Sequence, residues 1–366
     1  MKPFFLLKLP HIPFKEIAMN LNVVALAMCS EKSRKAIELM KLKAKQFVIT
    51  QVFNEHRVYM AINNVLWFTW RLFFPSEVAN PEDFTERFTI DGKVFQSITI
   101  ENRDFAYEIC SLSENYQKSA DSIQKFIRKT FVCQNVKYHI DVDGCENFDH
   151  YVLETVNKDP ECKTLELGTT IYVPLENSEY KTREAGPLNP WHVEFVLSNL
   201  NENIELIISG DPGDDFRYTK IISRKFLVIY SPQWFTYQNL VESKSEKLYI
   251  SSVNERDETC ITLEEIISYF KSWIDGKQTS ILCLAVRNNW KLHREEVFNK
   301  LTNGIETSVF DERRNASDYK NNWLSKATEH TNCPLIDIRA NDGTVASILC
   351  NPNMLFFGVW SKPSGP

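Results

Sequence analysis

No stretch of this chain approaches the ~18 consecutive apolar residues of a membrane-spanning helix, so no span is predicted. None of its nine cysteines falls in a Cys-x-x-Cys pair, and no Cys/His cluster has zinc-ligand spacing. That excludes a finger-type metal site. There is no Gly-x-Ser-x-Gly, no phosphate-binding loop, no Gly-x-Gly-x-x-Gly and no pair of histidine ligands. The common hydrolase, nucleotide-binding and metalloprotease signatures are therefore missing. Phe4-Phe5-Leu6-Leu7 is too short for a signal-peptide core and runs into Lys8 and Pro10. The expectation is a cytoplasmic or nuclear protein, not a secreted one, with free, reduced, buried thiols. Asn315-Ala316-Ser317 fits a glycosylation sequon, but without a secretion signal no glycan is expected.

What is present is ordinary globular material. The 366 residues are 43% hydrophobic and 25% charged, enough for one large domain or two to three small ones. The net charge is −6, yet residues 31–45 hold six basic side chains against Glu31 and Glu38, a local +4 that leaves −10 for the remainder. A basic helix can bind nucleic acid. This one lacks interleaved aromatics, and the rest of the chain repels phosphate. A solvated face, or one turned to an acidic partner, is expected instead, with no nucleic-acid partner.

The first forty residues read as short helices. Pro13 suits a first helical turn. Phe14, Ile17, Ala18 and Leu21 then recur at three- and four-residue steps. Residues 23–28 are almost all apolar and are expected to be buried on more than one side. Helices this short depend on packing. They form either a hairpin on their own chain or a docking module.

At residue 46 the pattern changes. Residues 47–53, 57–62 and 65–72 read as strands, Asn63-Asn64 as a hairpin turn, and Asp91-Gly92 as a second hairpin signal. This predicts an antiparallel meander, with Pro75 and Pro81 bracketing a loop. From about residue 117 helices and strands alternate, with strand starts near 136, 164, 204, 225, 247 and 281. Such spacing leaves room for crossovers between parallel strands. It fits a leucine-rich-repeat-like stack, whose usual period is ~20–29 residues, or a wound α/β sheet. Irregular spacing and the lack of an asparagine ladder favour a degenerate stack. The clearest helix covers residues 262–275, with Thr262 and Glu265 as a capping box, an apolar stripe of Ile266, Ile267, Phe270, Trp273 and Ile274, and Gly276 at the C-terminal stop. Residues 335–340, 345–350 and 354–360 return to antiparallel signals around Asn341-Asp342-Gly343-Thr344.

The order Leu9-Pro10, Ile12, Phe14, Ile17, Leu21, Leu26, Cys29-Ser30 and then a basic helix with Ile37 resembles an F-box. The resemblance implies a docking surface for a Skp-type adaptor, and through it a cullin, made by Leu9, Pro10, Ile12, Phe14, Ile17, Leu21, Leu26, Cys29 and Ile37. Asn20-Leu21-Asn22-Val23 stands where the family usually has an Asp-Pro or similar pair, and the segment before Cys29 is about three residues, nearly one turn, short of the family's spacing. Further residues are similar to the F-box-associated type-2 domain of the expanded nematode F-box family. These are Trp234-Phe235-Thr236 before Asn239-Leu240, residues 267–276 in the form ISYFKSWIDG, residues 336–344, and Val359-Trp360. That implies a non-catalytic receptor selecting an unknown target for ubiquitination. The alternative is an interaction scaffold whose F-box no longer engages the adaptor.

The expected fold is α+β. It has a three-helix F-box module (1–45), an antiparallel β meander (46–110), a degenerate leucine-rich-repeat-like α/β body (111–305), and a loop with a closing antiparallel hairpin (306–366). No catalytic residue, metal or cofactor is expected. Residues 210–215 carry three carboxylates but read as a turn. His139, His150, Asp141, Asp143 and Cys145 match no standard ligand set. Trp67, Trp70, Trp234 and Trp273 are expected in cores, with one at a target interface as the alternative.

Overall fold

The computed structural model describes residues 23–52, 55–62, 66–90, 92–101, 106–142, 145, 147–168, 186–251, 261–287, 294–310, 335–351 and 354–360. The chain divides into two compact units, Met1–Leu165 and Glu166–Pro366.

Among the described residues the first unit begins with helices α1 (Val23–Cys29) and α2 (Glu31–Leu39). Strands β1 (Lys43–Val52), β2 (Glu55–Ile62) and β3 (Leu66–Phe73) follow. They form consecutive antiparallel pairs, as the alternating aromatic pattern predicts. Strands β4 (Glu86–Ile90) and β5 (Lys93–Glu101) make the Asp-Gly hairpin. The meander stops at β6 (Ala106–Leu112), which pairs antiparallel with β5 but parallel with β3, Trp70 lying against Ile109. The cause is the segment 74–85. Its two 3₁₀ turns, Pro75–Glu77 and Pro81–Asp83, carry the chain back before β4 begins. A connection of about a dozen residues is what a parallel return needs. What reads as a loop in sequence is thus a crossover.

Trp70 anchors this sheet. Its ring meets Phe68, Phe88 and Phe95 edge-on, and its indole N–H donates to Ser111 Oγ at 2.8 Å. Helix α3 (Tyr116–Thr130) is capped by Asn115 and buries Ile123, Phe126 and Ile127. It packs against β2, β3 and β4. Strands β7 (Val132–Cys133) and β8 (Val136–Ile140) then run parallel to β1. The strand at 136, read in sequence as the first of the stack, is therefore an extension of the first sheet. Helix α4 (Phe148–Tyr151) continues into one π turn, Val152–Val156, and β9 (Cys162–Leu167) follows.

In the second unit, helix α5 (Pro190–Asn199) precedes strands β10 (Glu205–Ile208), β11 (Phe226–Ile229) and β12 (Lys247–Ile250). Helix α6 (Tyr237–Glu242) lies between the last two, and helix α7 (Leu263–Ile274) leads to β13 (Cys283–Arg287). The four strands pair parallel in chain order. Leu206, Leu227, Leu248 and Leu284 fall in one row, and Ile208, Ile229, Ile250 and Val286 in the next, all buried. The row positions are separated by 21, 21 and 36 residues, so two steps keep the leucine-rich-repeat period and the third is stretched by the longer connection that holds α7.

The unit closes with helix α8 (Arg294–Thr302) and strands β14 (Thr307–Val309), β15 (Leu335–Arg339), β16 (Val345–Asn351) and β17 (Met354–Val359). Strands β14 to β17 are antiparallel, and β17 also pairs antiparallel with β13. The C-terminal strands therefore extend the stack's own sheet. Gly343 takes φ +85° in the predicted turn, and Ala340 and Thr344 bond across it. Helix α7 has the predicted capping box and Gly276 at φ +77°. Its aromatic stripe settles on β17, with Phe270 stacked on Phe357 at 5.1 Å and Trp273 edge-on to it at 5.3 Å.

Candidate functional site

The residues assigned to adaptor docking divide by location. Leu9, Pro10, Ile12, Phe14, Ile17 and Leu21 lie outside the described residues, as does Asn22. Of the other three, Leu26 is half-buried, Cys29 is exposed at the end of α1, and Ile37 is fully buried. Helix α1 does end on the apolar-cysteine step. Ser30 then caps α2, its Oγ accepting the Ser33 N–H at 3.0 Å. Val23, Val24 and Ala27 turn inward, α1 meets β4, and α2 packs on α3. The surface of α2 is basic and internally paired, Lys35 with Glu31 at 2.9 Å and Arg34 with Glu38 at 3.4 Å. Lys35 favours the ionised form of Glu31 and holds its carboxyl below the usual range.

A second surface belongs to the parallel strands. The leucine and isoleucine rows occupy one face, the face α7 covers through Phe357, which sits in register with Leu284. The opposite face carries Ile207, Phe226, Lys247 and Tyr249, all half-buried. It continues into a buried cluster of Ala285, Leu349, Phe356 and Trp360, flanked by Tyr249, Phe310 and Met354. Trp360 donates its indole N–H to Ser347 Oγ at 2.7 Å, and Ser347 donates to the buried Asp337 at 2.5 Å. Asp337 and Trp360, both from the motifs read in sequence, thus anchor the end of this face. Among the described residues no group of three His, Cys, Asp or Glu side chains is placed to hold a metal.

The remaining motif residues build the scaffold under that face. Trp234 and Phe235 are fully buried. Thr236 caps α6 and shares a capping box with Asn239, whose Nδ2 reaches the Tyr218 carbonyl at 2.7 Å. Leu240 closes the same core. Trp70 and Trp273 are buried as expected, while the side chain of Trp67 is outside the description. Several exposed apolar residues have no counterpart in the sequence reading, two of them at helix ends. Trp191, at the start of α5, is 49% exposed, and Leu39, the last residue of α2, is 76% exposed. Hydropathy patterning does not flag single apolar residues at helix ends. The 211–215 segment is a turn, with Gly213 N–H bonded to Asp211.

Residues 216–286 match a protein-family model described as F-box associated. The match opens at Phe216, below the Trp234 core, and closes in β13, so it takes in β11, α6, β12 and α7. No curated protein matches the chain. No solved structure matches it either.

Proposed function

We propose that this protein is a non-catalytic substrate-recognition subunit of a Skp–cullin–F-box ubiquitin ligase, of the kind found in the nematode F-box family. One observation carries the reading: the F-box-associated match over 216–286 lies downstream of a helix pair that breaks at Cys29-Ser30, the step at which an F-box breaks. The F-box docks a Skp-type adaptor, and through it a cullin, with Leu9, Pro10, Ile12, Phe14, Ile17, Leu21, Leu26 and Cys29. Ile37, fully buried, fixes α2 beneath that surface. The target protein is held by the half-buried face of β10 to β12. Phe226 and Tyr249 supply the large apolar contact area that interface anchors need, and Lys247 supplies a charge. The protein works in the cytoplasm or nucleus without cofactor, metal or nucleic acid.

The sequence spacing before Cys29, about three residues short of the family's, favours a second reading, a scaffold that no longer engages the adaptor. Val23, Val24 and Ala27 turn inward, which leaves the half-buried Leu26 and the exposed Cys29 as the docking residues of α1 open to a partner. Affinity purification of the full chain followed by mass spectrometry separates the two. Recovery of adaptor and cullin supports the receptor, and reproducible partners without either support the scaffold.

A further inference from the structure

We propose that the open edge of strand β4 is a docking site for an extended segment of a partner protein, which joins the first unit's sheet as a further strand. The inference does not depend on the ligase reading and uses neither of the surfaces named there. Among the described residues β4 pairs only with β5, Ile90 opposite Lys93 and Phe88 opposite Phe95. A two-residue connection makes Ile90 and Lys93 exchange their backbone bonds, and alternation then gives Phe88 and Glu86 to β5 as well. Thr99 agrees with this phase: its N–H turns toward β4 and reaches Glu86 Oε1 at 3.3 Å. The N–H and C=O groups of Arg87 and Thr89 therefore point away from the sheet.

Helices α1 and α3 approach β4, yet Arg87 and Thr89 stay exposed. Their outward backbone groups bond no described residue. The Arg87 guanidinium has no carboxylate partner among the described residues, whereas Arg71, on the same face by register, is held by Glu108 at 2.9 Å. A lone charge is one way an edge strand is kept from other chains. The face beside it does not serve that end. Val94, Ile98 and Ile100 alternate on the side of β5 that turns away from Phe95 and Trp70. Val94 is 56% exposed, Ile100 41% exposed and Ile98 half-buried, where a solvated sheet face carries polar residues.

Unpaired backbone donors and acceptors select an extended chain, and the side chains beside them select its sequence. An acidic residue belongs across from Arg87. Two residues along, a large apolar residue belongs across from Thr89, which is small and stands in register with Val94. Its side chain crosses Thr89 and packs on Val94. A second copy of β4 does not supply that acid. Only Arg87 and Thr89 turn their backbones outward, so two β4 edges would set these residues against each other or against themselves.

The test is fluorescence anisotropy of a labelled Thr/Val-rich peptide with one glutamate and, two residues on, one phenylalanine, titrated with the full chain. Binding is expected. Thr89→Pro deletes one outward N–H, a change that an edge strand tolerates on its solvent side. It should weaken binding about tenfold in protein that circular dichroism shows to be folded. Arg87→Glu should weaken it about fivefold, and should bind the same peptide with lysine in place of glutamate better than the parent does. That exchange decides the matter should Thr89→Pro not fold. The proposal is overturned if the peptide does not bind, if folded Thr89→Pro binds it as the parent does, or if Arg87→Glu keeps the preference for glutamate over lysine. A parent that dimerises, and loses the dimer with Thr89→Pro, also overturns it, since the edge is then taken by a second copy.

Discussion

Arg224 closes the C-terminal end of α5: its guanidinium donates to the Val196 carbonyl at 2.6 Å. It also reaches the carbonyls of Leu197 at 2.9 Å, Leu200 at 2.6 Å and Asn201 at 3.0 Å. The side chain is buried. Burial pulls its pKa down to about 10, which leaves it a cation at neutral pH. Val196 also accepts the Leu200 N–H and Asn201 the Ile204 N–H, so the carbonyls of Leu197 and Leu200 depend most on this planar fork. Arg224→Met keeps the aliphatic stem and removes every donor. The expected loss is about 3 kcal/mol or more, since each buried carbonyl left unpaired costs about 1–3 kcal/mol. Arg224→Lys should recover only part of it, because an ammonium cannot span the same set. Denaturant midpoints of the three proteins check the order.

Trp273 and Phe357 form the contact that seats α7 on the sheet, with ring centroids 5.3 Å apart. Trp273→Ala should cost about 3–5 kcal/mol, the range for a large aromatic removed from a core. That jeopardises a domain of ordinary marginal stability. A variant melting like the parent would mean the helix is held by something other than its aromatic stripe.

Glycine substitutions should separate crowding from backbone strain. A Cβ on Gly210 would sit 2.8 Å from Leu188 Cβ, whereas one on Gly276 meets nothing within 4 Å and pays only for φ +77°. Gly210→Ala is expected to cost about 1–3 kcal/mol through overpacking. Gly276→Ala is expected to cost about 1 kcal/mol for the left-handed backbone. Thermal melts should rank them in that order.

Burial pushes the thiols of Cys133, Cys145 and Cys162 up to about 12, and that of Cys283 up to about 11, from an ordinary 9.0. The unfolded chain releases these protons first. Their contribution to stability is therefore complete below pH 9 and declines as pH rises toward the folded values, by up to about 1.4 kcal/mol per unit for each thiol. Midpoints measured between pH 8 and 10 should fall. That range also lies below the one in which the depressed pKa of Arg224 acts with the opposite sign. At pH 8 a thiol reagent should label the exposed Cys29 in native protein and leave Cys133, Cys145, Cys162 and Cys283 protected until denaturant is added.

Local signals were readable where chemistry and backbone agree over a few residues. The Thr262–Glu265 capping box, the Gly276 stop, the Asp-Gly hairpin and the strand–turn–strand at 335–350 all appear where the residues place them. Pairing partners were less readable. The same aromatic alternation serves β6 whether it joins β3 parallel or closes a meander. Only the reach of segment 74–85 decides, and that depends on Trp70 and Ser111 meeting across 41 residues. The parallel stack was legible as a spacing, but its leucine row emerges only from the register, because the third step is 36 residues long. The basic stretch at 31–45, with Lys41 in it, was visible as charge in the sequence. Its geometry was not, since nothing in the residue types announces a lysine in left-handed backbone.

The most direct test of the receptor account is size-exclusion co-elution of the full chain with a purified Skp-type adaptor, comparing the parent with Leu26→Asp and Ile17→Asp. Leu26 is half-buried on α1, so a charge there enters an apolar contact without partners. Circular dichroism of each variant confirms that the chain is still folded. The account predicts a stable complex with the parent and its loss in both folded variants. A folded parent that elutes apart from the adaptor, or folded variants that bind it as the parent does, would contradict it.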